Sequence, residues 1–243
     1  MRVARSILSG VFFVAFGVGA LFFSLVLLFP LPSTWPRKLL KASFRLFVCG
    51  ARVTHLFHVE LSPEDREALA ALRGTVVVSN HPSLIDIVIL ISLMGESVCV
   101  TKKAASRNPF MRVIVRNLLI VNDGPVEVLD RARRALAGGL NVIVFPEGTR
   151  TPADAPEHVF LRGAAQIALR APAPMETVFI SSDPPVLGKG QPWWDVGKRN
   201  IVYTVRRKGR IDRAAFCGAE TADSMHSEAM KLTSLMRERI FAA

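Results

Sequence analysis

Apolar runs of two lengths punctuate this chain, and the elements they predict alternate. Thr75-Val76-Val77-Val78-Ser79 reads as a buried strand, and Asn141-Val142-Ile143-Val144-Phe145 reads as another. Ser97 to Thr101, Leu118 to Val121, Thr177 to Ser181 and Ile201 to Val205 extend the set. Between them lie helical patterns. These are Ser62 to Leu72, opened by Ser62-Pro63-Glu64; the run Ile87-Val88-Ile89-Leu90-Ile91 following Pro82; Asn108 to Arg116; Pro125 to Ala137, closed by Gly138-Gly139; Leu161 to Arg170; and Ala222 to Phe241. Strands alternating with helices predict an α/β fold, a layered mixed sheet with flanking helices, whose ligand site falls at strand ends.

Two strand ends carry candidate chemistry. After the first comes Asn80-His81-Pro82-Ser83-Leu84-Ile85-Asp86, an imidazole and a carboxylate five residues apart. Pro82 suits a first helical position, which places His81 at the cap and Asp86 about one turn in, leaning back toward the ring. A carboxylate in that position fixes the tautomer of the imidazole, which can then take a proton from a hydroxyl. A His before a helix is also an ordinary cap, so the heptad alone does not fix the chemistry. After the second strand comes Pro146-Glu147-Gly148-Thr149-Arg150. There a glycine lets main-chain N–H groups approach a ligand, and a guanidinium can grip phosphate with two parallel bonds. A surface turn with a solvated Arg is the plain alternative for that pentapeptide.

Taken together, His81 and Asp86 followed by Phe145-Pro146-Glu147-Gly148-Thr149-Arg150 resemble the glycerolipid acyltransferase family, the lysophosphatidic acid acyltransferases and their relatives. The similarity covers roughly residues 75–211. It implies transfer of a fatty acyl group from a thioester to a hydroxyl of a lysophospholipid such as 1-acylglycerol-3-phosphate. His81 would be the general base and Asp86 its orienter, while Asn80, Glu147, Gly148, Thr149 and Arg150 would bind substrate and shape the site. A thioester is already activated, so the reaction asks for no metal, cofactor or covalent intermediate, only a base, alignment and an oxyanion donor, here a main-chain N–H near Gly148. No Gly-x-Ser-x-Gly elbow offers a rival nucleophile.

The chain departs from the family pattern twice. Asn117-Leu118-Leu119-Ile120-Val121-Asn122-Asp123 ends in Asp123 where the family carries an arginine, and Met175-Glu176-Thr177-Val178-Phe179-Ile180 has Thr177 at a usual proline position. Lys102, Lys103, Arg107 and Arg116 are candidate compensating cations. Cys99-Val100-Thr101-Lys102-Lys103, Asn108-Pro109-Phe110, Arg162-Gly163-Ala164-Ala165 and Lys189-Gly190-Gln191-Pro192-Trp193-Trp194 resemble acyltransferases of bacterial aryl-polyene or related polyketide-lipid pathways. That leaves room for acylation of a different lipid or glycolipid. A catalytically silent lipid-binding scaffold is the alternative of another class.

From Ile7 to Phe29 the chain runs 23 residues without a charge, about 34 Å as a helix and enough to cross a hydrocarbon core. Phe29-Pro30-Leu31-Pro32 follows, unlike a signal-peptide cleavage site. Lys38 to His58 mixes Leu39, Leu40, Phe44, Leu46, Phe47 and Val48 with basic residues, so the two segments can also form a helical hairpin embedded in one leaflet. Spanning and half-embedding both remain open. The reading divides the chain into a membrane anchor, 1–58, and a catalytic domain, 59–243. Arg37, Lys38, Lys41 and Arg45 outnumber Arg2 and Arg5, which places the domain on the cytoplasmic side of the inner membrane.

Composition changes the picture in one respect. Thirty-one Lys and Arg against 20 Asp and Glu give a net charge of +11, which favours anionic headgroups and acidic donors, acyl coenzyme A or acyl carrier protein. Without zinc spacing, a recognition helix or stacking aromatics, nucleic acid is excluded as the partner. The basic run Arg206-Arg207-Lys208-Gly209-Arg210 reads as a solvated turn after a strand. Cys49, Cys99 and Cys217 read as reduced and structural. His55, His58, His158 and His226 show no partner pattern and read as incidental. The oligomeric state is not legible.

Overall fold

The computed structural model describes residues 2–26, 35–103, 112–171, 173–192, 194, 199–212 and 222–242. The predicted helix from Asn108 lies partly outside them, as do Arg107, Asn108-Pro109-Phe110, Trp193 and Cys217.

Seven strands form one sheet: β1 (Phe57–Glu60), β2 (Val76–Ser79), β3 (Ser97–Lys102), β4 (Leu119–Asn122), β5 (Asn141–Val144), β6 (Met175–Asp183) and β7 (Ile201–Ile211). Their spatial order is β1-β7-β6-β2-β5-β3-β4. Every pair is parallel except β6 with β7, so the sheet is mixed. β2 and β5 are the continuous apolar runs of the sequence because both their faces are covered. Alternation along β2 sends Val77 to one side and Val76 and Val78 to the other.

The Val77 side packs against α2 (Trp35–Val53), α3 (Pro63–Ala71) and α4 (Asp86–Leu93). The opposite side packs against α6 (Pro125–Ala137), α7 (Gly163–Arg170) and α8 (Ala222–Phe241). A short helix, α5 (Arg112–Leu118), leads into β4. The start of α3 follows the sequence signals, since the Ser62 side chain accepts the Asp65 N–H at 3.0 Å with Pro63 in the first turn.

The N-terminal segment is a helical pair. α1 (Arg2–Val26) packs Phe12, Phe13 and Phe16 around Phe47 of α2, with ring centroids 5.0, 5.7 and 4.4 Å away. Gly50 permits that approach, since a Cβ there would sit 3.1 Å from the Phe12 ring. A different stripe of α1, Ile7, Val11, Val14 and Val18, stays exposed at 55–62 %. The uncharged run over residues 7–29 falls on α1 as far as Val26, and its last residues lie outside the described ones. α1 starts at Arg2, with Arg2 and Arg5 inside its first turns, and its described part ends at Val26. Among the described residues no helix is long and apolar enough to cross a membrane. α2 buries Leu40, Phe44, Phe47 and Ala51 in the core of the sheet. Its basic residues tie it there, Arg45 Nε donating to the Ser92 carbonyl at 3.0 Å and Arg37 pairing with Glu96 at 3.5 Å.

Two other readings change. β1 was not foreseen. Only four residues long, it lies at the end of a basic amphipathic segment whose helical period masks it. The basic run 206–210 is not a turn but the second half of β7, paired antiparallel with β6. Two of its four charges are engaged: Arg207 pairs with buried Glu176 at 3.1 Å, and Lys208 reaches the Ala242 carbonyl, while Arg206 and Arg210 are exposed. Thr177, at the family's proline position, donates its hydroxyl to the Gly209 carbonyl at 2.7 Å beside a register shift in the β6–β7 ladder.

Candidate active site

β2 and β5 are hydrogen-bonded neighbours with Val78 opposite Val144, so the segments leaving their C-terminal ends meet. The two sequence motifs thereby become one site at the end where α/β sheets bind ligands.

His81 Nδ1 lies 2.8 Å from Asp86 Oδ2. The carboxylate is fully buried and accepts two further bonds, from the Ser83 N–H at 2.7 Å and the Ser83 hydroxyl. An ionised carboxylate in that position needs these donors, and with them it holds the Nδ1–H tautomer of His81. Nε2 is then the ring nitrogen that can accept a proton. The imidazole, 21 % exposed, stacks on Phe145 at 4.2 Å and 21° between planes. Beneath Asp86 lies Tyr203, the chain's single tyrosine, fully buried. Burial, reinforced by the Asp86 charge, pushes its phenol well above the ordinary range.

The expected cap is not formed. α4 begins at Asp86 with Ile85 at its N-cap, and Pro82 stands in the loop before it. The three donors converging on Asp86 draw residues 81–85 into a tight loop instead of a first helical turn. Ser83-x-x-Asp86 matches the capping-box pattern, and the Ser83 N–H bonding Asp86 is half of that motif. Ser83 was therefore visible in the sequence and overlooked.

The second motif supports the first. Glu147 is buried, with one oxygen accepting the His81 main-chain N–H at 3.1 Å and the other accepting from His158 Nδ1 at 2.8 Å. Burial raises its carboxyl above the ordinary range, while the hydrogen bonds from His158 and His81 oppose that shift. The Thr151 N–H donates to the His81 carbonyl at 2.9 Å, so both motifs also join through main chain. His158, read as incidental, sits at the centre of this arrangement, and no local spacing announces it.

Gly148 holds φ +61°, a left-handed turn that suits glycine, and its N–H closes that turn on the Phe145 carbonyl at 3.1 Å. Arg150 Nη1 donates to the Leu187 and Gly188 carbonyls at 2.8 and 2.9 Å. Leu187 also accepts the Leu84 N–H at 3.0 Å, so Arg150 fastens the 187–188 loop beside the His81 loop. A cavity of about 420 Å³ opens there, bordered by Pro82, Pro152, Phe179, Ser182, Val186 and Gly188. Thr149 and Arg150 are both partly exposed in the same turn.

Asn80, expected at the substrate, is a strut. Its amide accepts the Ile180 N–H at 2.8 Å and donates to the Ile180 carbonyl at 2.7 Å, pinning the end of β2 to β6. Asn80→Ala orphans two buried main-chain groups and is expected to cost about 2 to 4 kcal/mol, read as a lower midpoint in denaturant titration.

Asp123 stands at the far edge. Two strands separate β4 from β2, so the Asp123 end lies about 14 Å across the sheet. Arg131 binds both of its oxygens, and those bonds hold the carboxyl below its ordinary range. Arg131, nearly two turns into α6, neutralises Asp123 and was not among the cations read from the sequence. Lys102 and Arg116 are exposed on that edge.

A strand-end His–Asp pair is buttressed by a Glu-Gly-Thr-Arg turn on a mixed α/β sheet. The family model for acyltransferases matches residues 60–181, just over half of the chain, and the chain belongs to that family. Among solved structures its fold is similar to the 1-acyl-sn-glycerophosphate (LPA) acyltransferase PlsC from Thermotoga maritima, with a TM-score of 0.70. Sequence identity is 22 %, over 100 % of this chain and 99 % of that one. No curated protein matches.

Proposed function

We propose that this acyltransferase moves a fatty acyl group from acyl coenzyme A or acyl carrier protein to the free hydroxyl of a lysophospholipid, 1-acylglycerol-3-phosphate being the leading acceptor. The observation that carries it is the His81–Asp86 pair, with Nδ1 held and Nε2 left to act. The acceptor class follows the Thermotoga maritima enzyme whose fold the chain shares.

In this mechanism the acceptor hydroxyl gives its proton to His81 Nε2 as its oxygen attacks the thioester carbonyl. Asp86 stabilises the imidazolium that forms. A C–O bond is made, the tetrahedral oxyanion collapses, the C–S bond breaks, and the imidazolium returns the proton to the departing thiolate. Gly148 has spent its own N–H on Phe145, so the oxyanion donor is a neighbouring main-chain amide of the same turn. Arg150, bonded through Nη1, offers Nε and Nη2 to the acceptor phosphate.

The protein works at the cytoplasmic face of the inner membrane, held by the α1–α2 pair with the exposed apolar stripe of α1 in one leaflet. An acceptor that stays in the bilayer is then delivered to the site.

The test is a panel of acceptors and donors with detergent-purified protein. Lysophosphatidate is expected to be acylated at least tenfold faster than a lysolipid without a phosphate monoester. Arg150→Ala is expected to raise the KM for lysophosphatidate about tenfold with less effect on kcat. Asp123→Ala is expected to leave both within twofold, because the group is paired and remote. Faster acylation of a lysolipid lacking phosphate would overturn the acceptor.

A further inference from the structure

A second imidazole–carboxylate pair lies behind the first, and the mechanism just described does not use it. His158 and Glu147 have side chains 8 % and 1 % exposed, with Nδ1 and Oε1 2.8 Å apart. The other oxygen of Glu147 accepts the main-chain N–H of His81 at 3.1 Å. On its far side the His158 ring stacks on Phe241, near the end of α8, at 3.9 Å and 25°. Phe241 is itself set edge-on to Phe160 and Phe179, 6.2 and 5.9 Å away.

The chemistry of the pair is one-directional. A carboxylate oxygen only accepts, so Nδ1–H donates to Glu147 and Nε2 carries the lone pair. Nε2 is buried and has no hydrogen-bonding partner among the described residues. Buried Glu147 has two side-on donors, His158 and the His81 N–H. Loss of His158 leaves Oε1 without one, and the carboxylate must then take a proton or turn away. Either response weakens its hold on His81, whose main chain is otherwise tied here by the Thr151 N–H.

We propose that His158 is a positioning residue for acyl transfer: through Glu147 it fixes the main chain of His81, and through Phe241 it couples the end of α8 to the active site. The proposal rests on the acyl-transfer reading for its kinetic consequence but not for its geometric one.

The experiment uses the full chain in detergent micelles, labelled with 15N only in histidine. The chain has five histidines, so the amide spectrum is simple, and His81→Ala identifies the His81 peak by its loss. His158→Leu is expected to shift that amide proton upfield and to lower kcat by about ten- to a hundredfold, the scale of a small misplacement of a reacting group, with KM within twofold. His158→Asn places an amide N–H near the position of Nδ1–H and is expected to restore both. Phe241→Leu leaves the hydrogen bond but loosens the ring, and moves the same peak by less; it stands in if His158→Leu does not fold. An unmoved His81 peak in His158→Leu, or in Phe241→Leu where that replaces it, overturns the proposal, as does an Asn variant as impaired as the Leu variant. Wild-type protein inactive with every acceptor defeats the acyl-transfer reading, and the amide shift alone then decides the role of His158.

Discussion

Asp86→Asn is expected to lower kcat by roughly a thousandfold or more, the scale seen when a base loses its orienting carboxylate. Three donors converge on Asp86, two from Ser83 and one from His81 Nδ1. An amide has one acceptor oxygen, and its NH2 group must then face a donor. The imidazole relieves the clash by moving its proton to Nε2, where it blocks the abstraction the reaction requires. The same clash is expected to cost about 2 to 3 kcal/mol of stability, because a buried hydrogen-bonded charge is replaced by a mismatched group. Steady-state kinetics together with denaturant titration separate the two effects. A variant within tenfold of wild type would show that the pair is only structural.

The second large effect concerns attachment. Ile7, Val11, Val14 and Val18 recur at helical spacing on α1, turned away from the phenylalanines that grip Phe47. A Val buried in the acyl region contributes about 1.5 to 3 kcal/mol, and a carboxylate in its place adds a further penalty. Val11→Asp combined with Val14→Asp is therefore expected to weaken binding to anionic phospholipid vesicles at least a hundredfold by flotation. Turnover of a short-chain acceptor in detergent should stay within a few-fold. Undiminished flotation would mean that another surface meets the membrane.

Local signals carried much of the fold. The Val76 and Val142 strands, the helix from Pro125 to Ala137 and the C-terminal helix from Ala222 to Phe241 lie where their periodicity placed them. What failed did so for identifiable reasons. β1 is short and owes its place to parallel pairing with β7, a contact remote in sequence. Arg207 and Lys208 looked solvated because their partners, Glu176 and the Ala242 carbonyl, lie elsewhere in the chain.

The candidate site divides in the same way. His81 and Asp86 were legible because they share one loop, and Glu147 to Arg150 because they share one turn. That Asn80 braces Ile180, that Arg150 fastens residues 187–188 and that His158 seats Glu147 are facts of tertiary contact. No spacing encodes them. Asp123 shows the converse, since a charge that looked hostile to a phosphate is paired with Arg131 at the sheet's far edge.

The most direct test is acyl transfer to lysophosphatidate by purified wild-type protein and by His81→Ala, each first shown to unfold cooperatively. Wild-type protein should form phosphatidate from a thioester donor, and the variant should fall at least a thousandfold, toward the uncatalysed rate. A folded His81→Ala protein that still transfers the acyl group at near wild-type rate would contradict the assignment of His81 as the base.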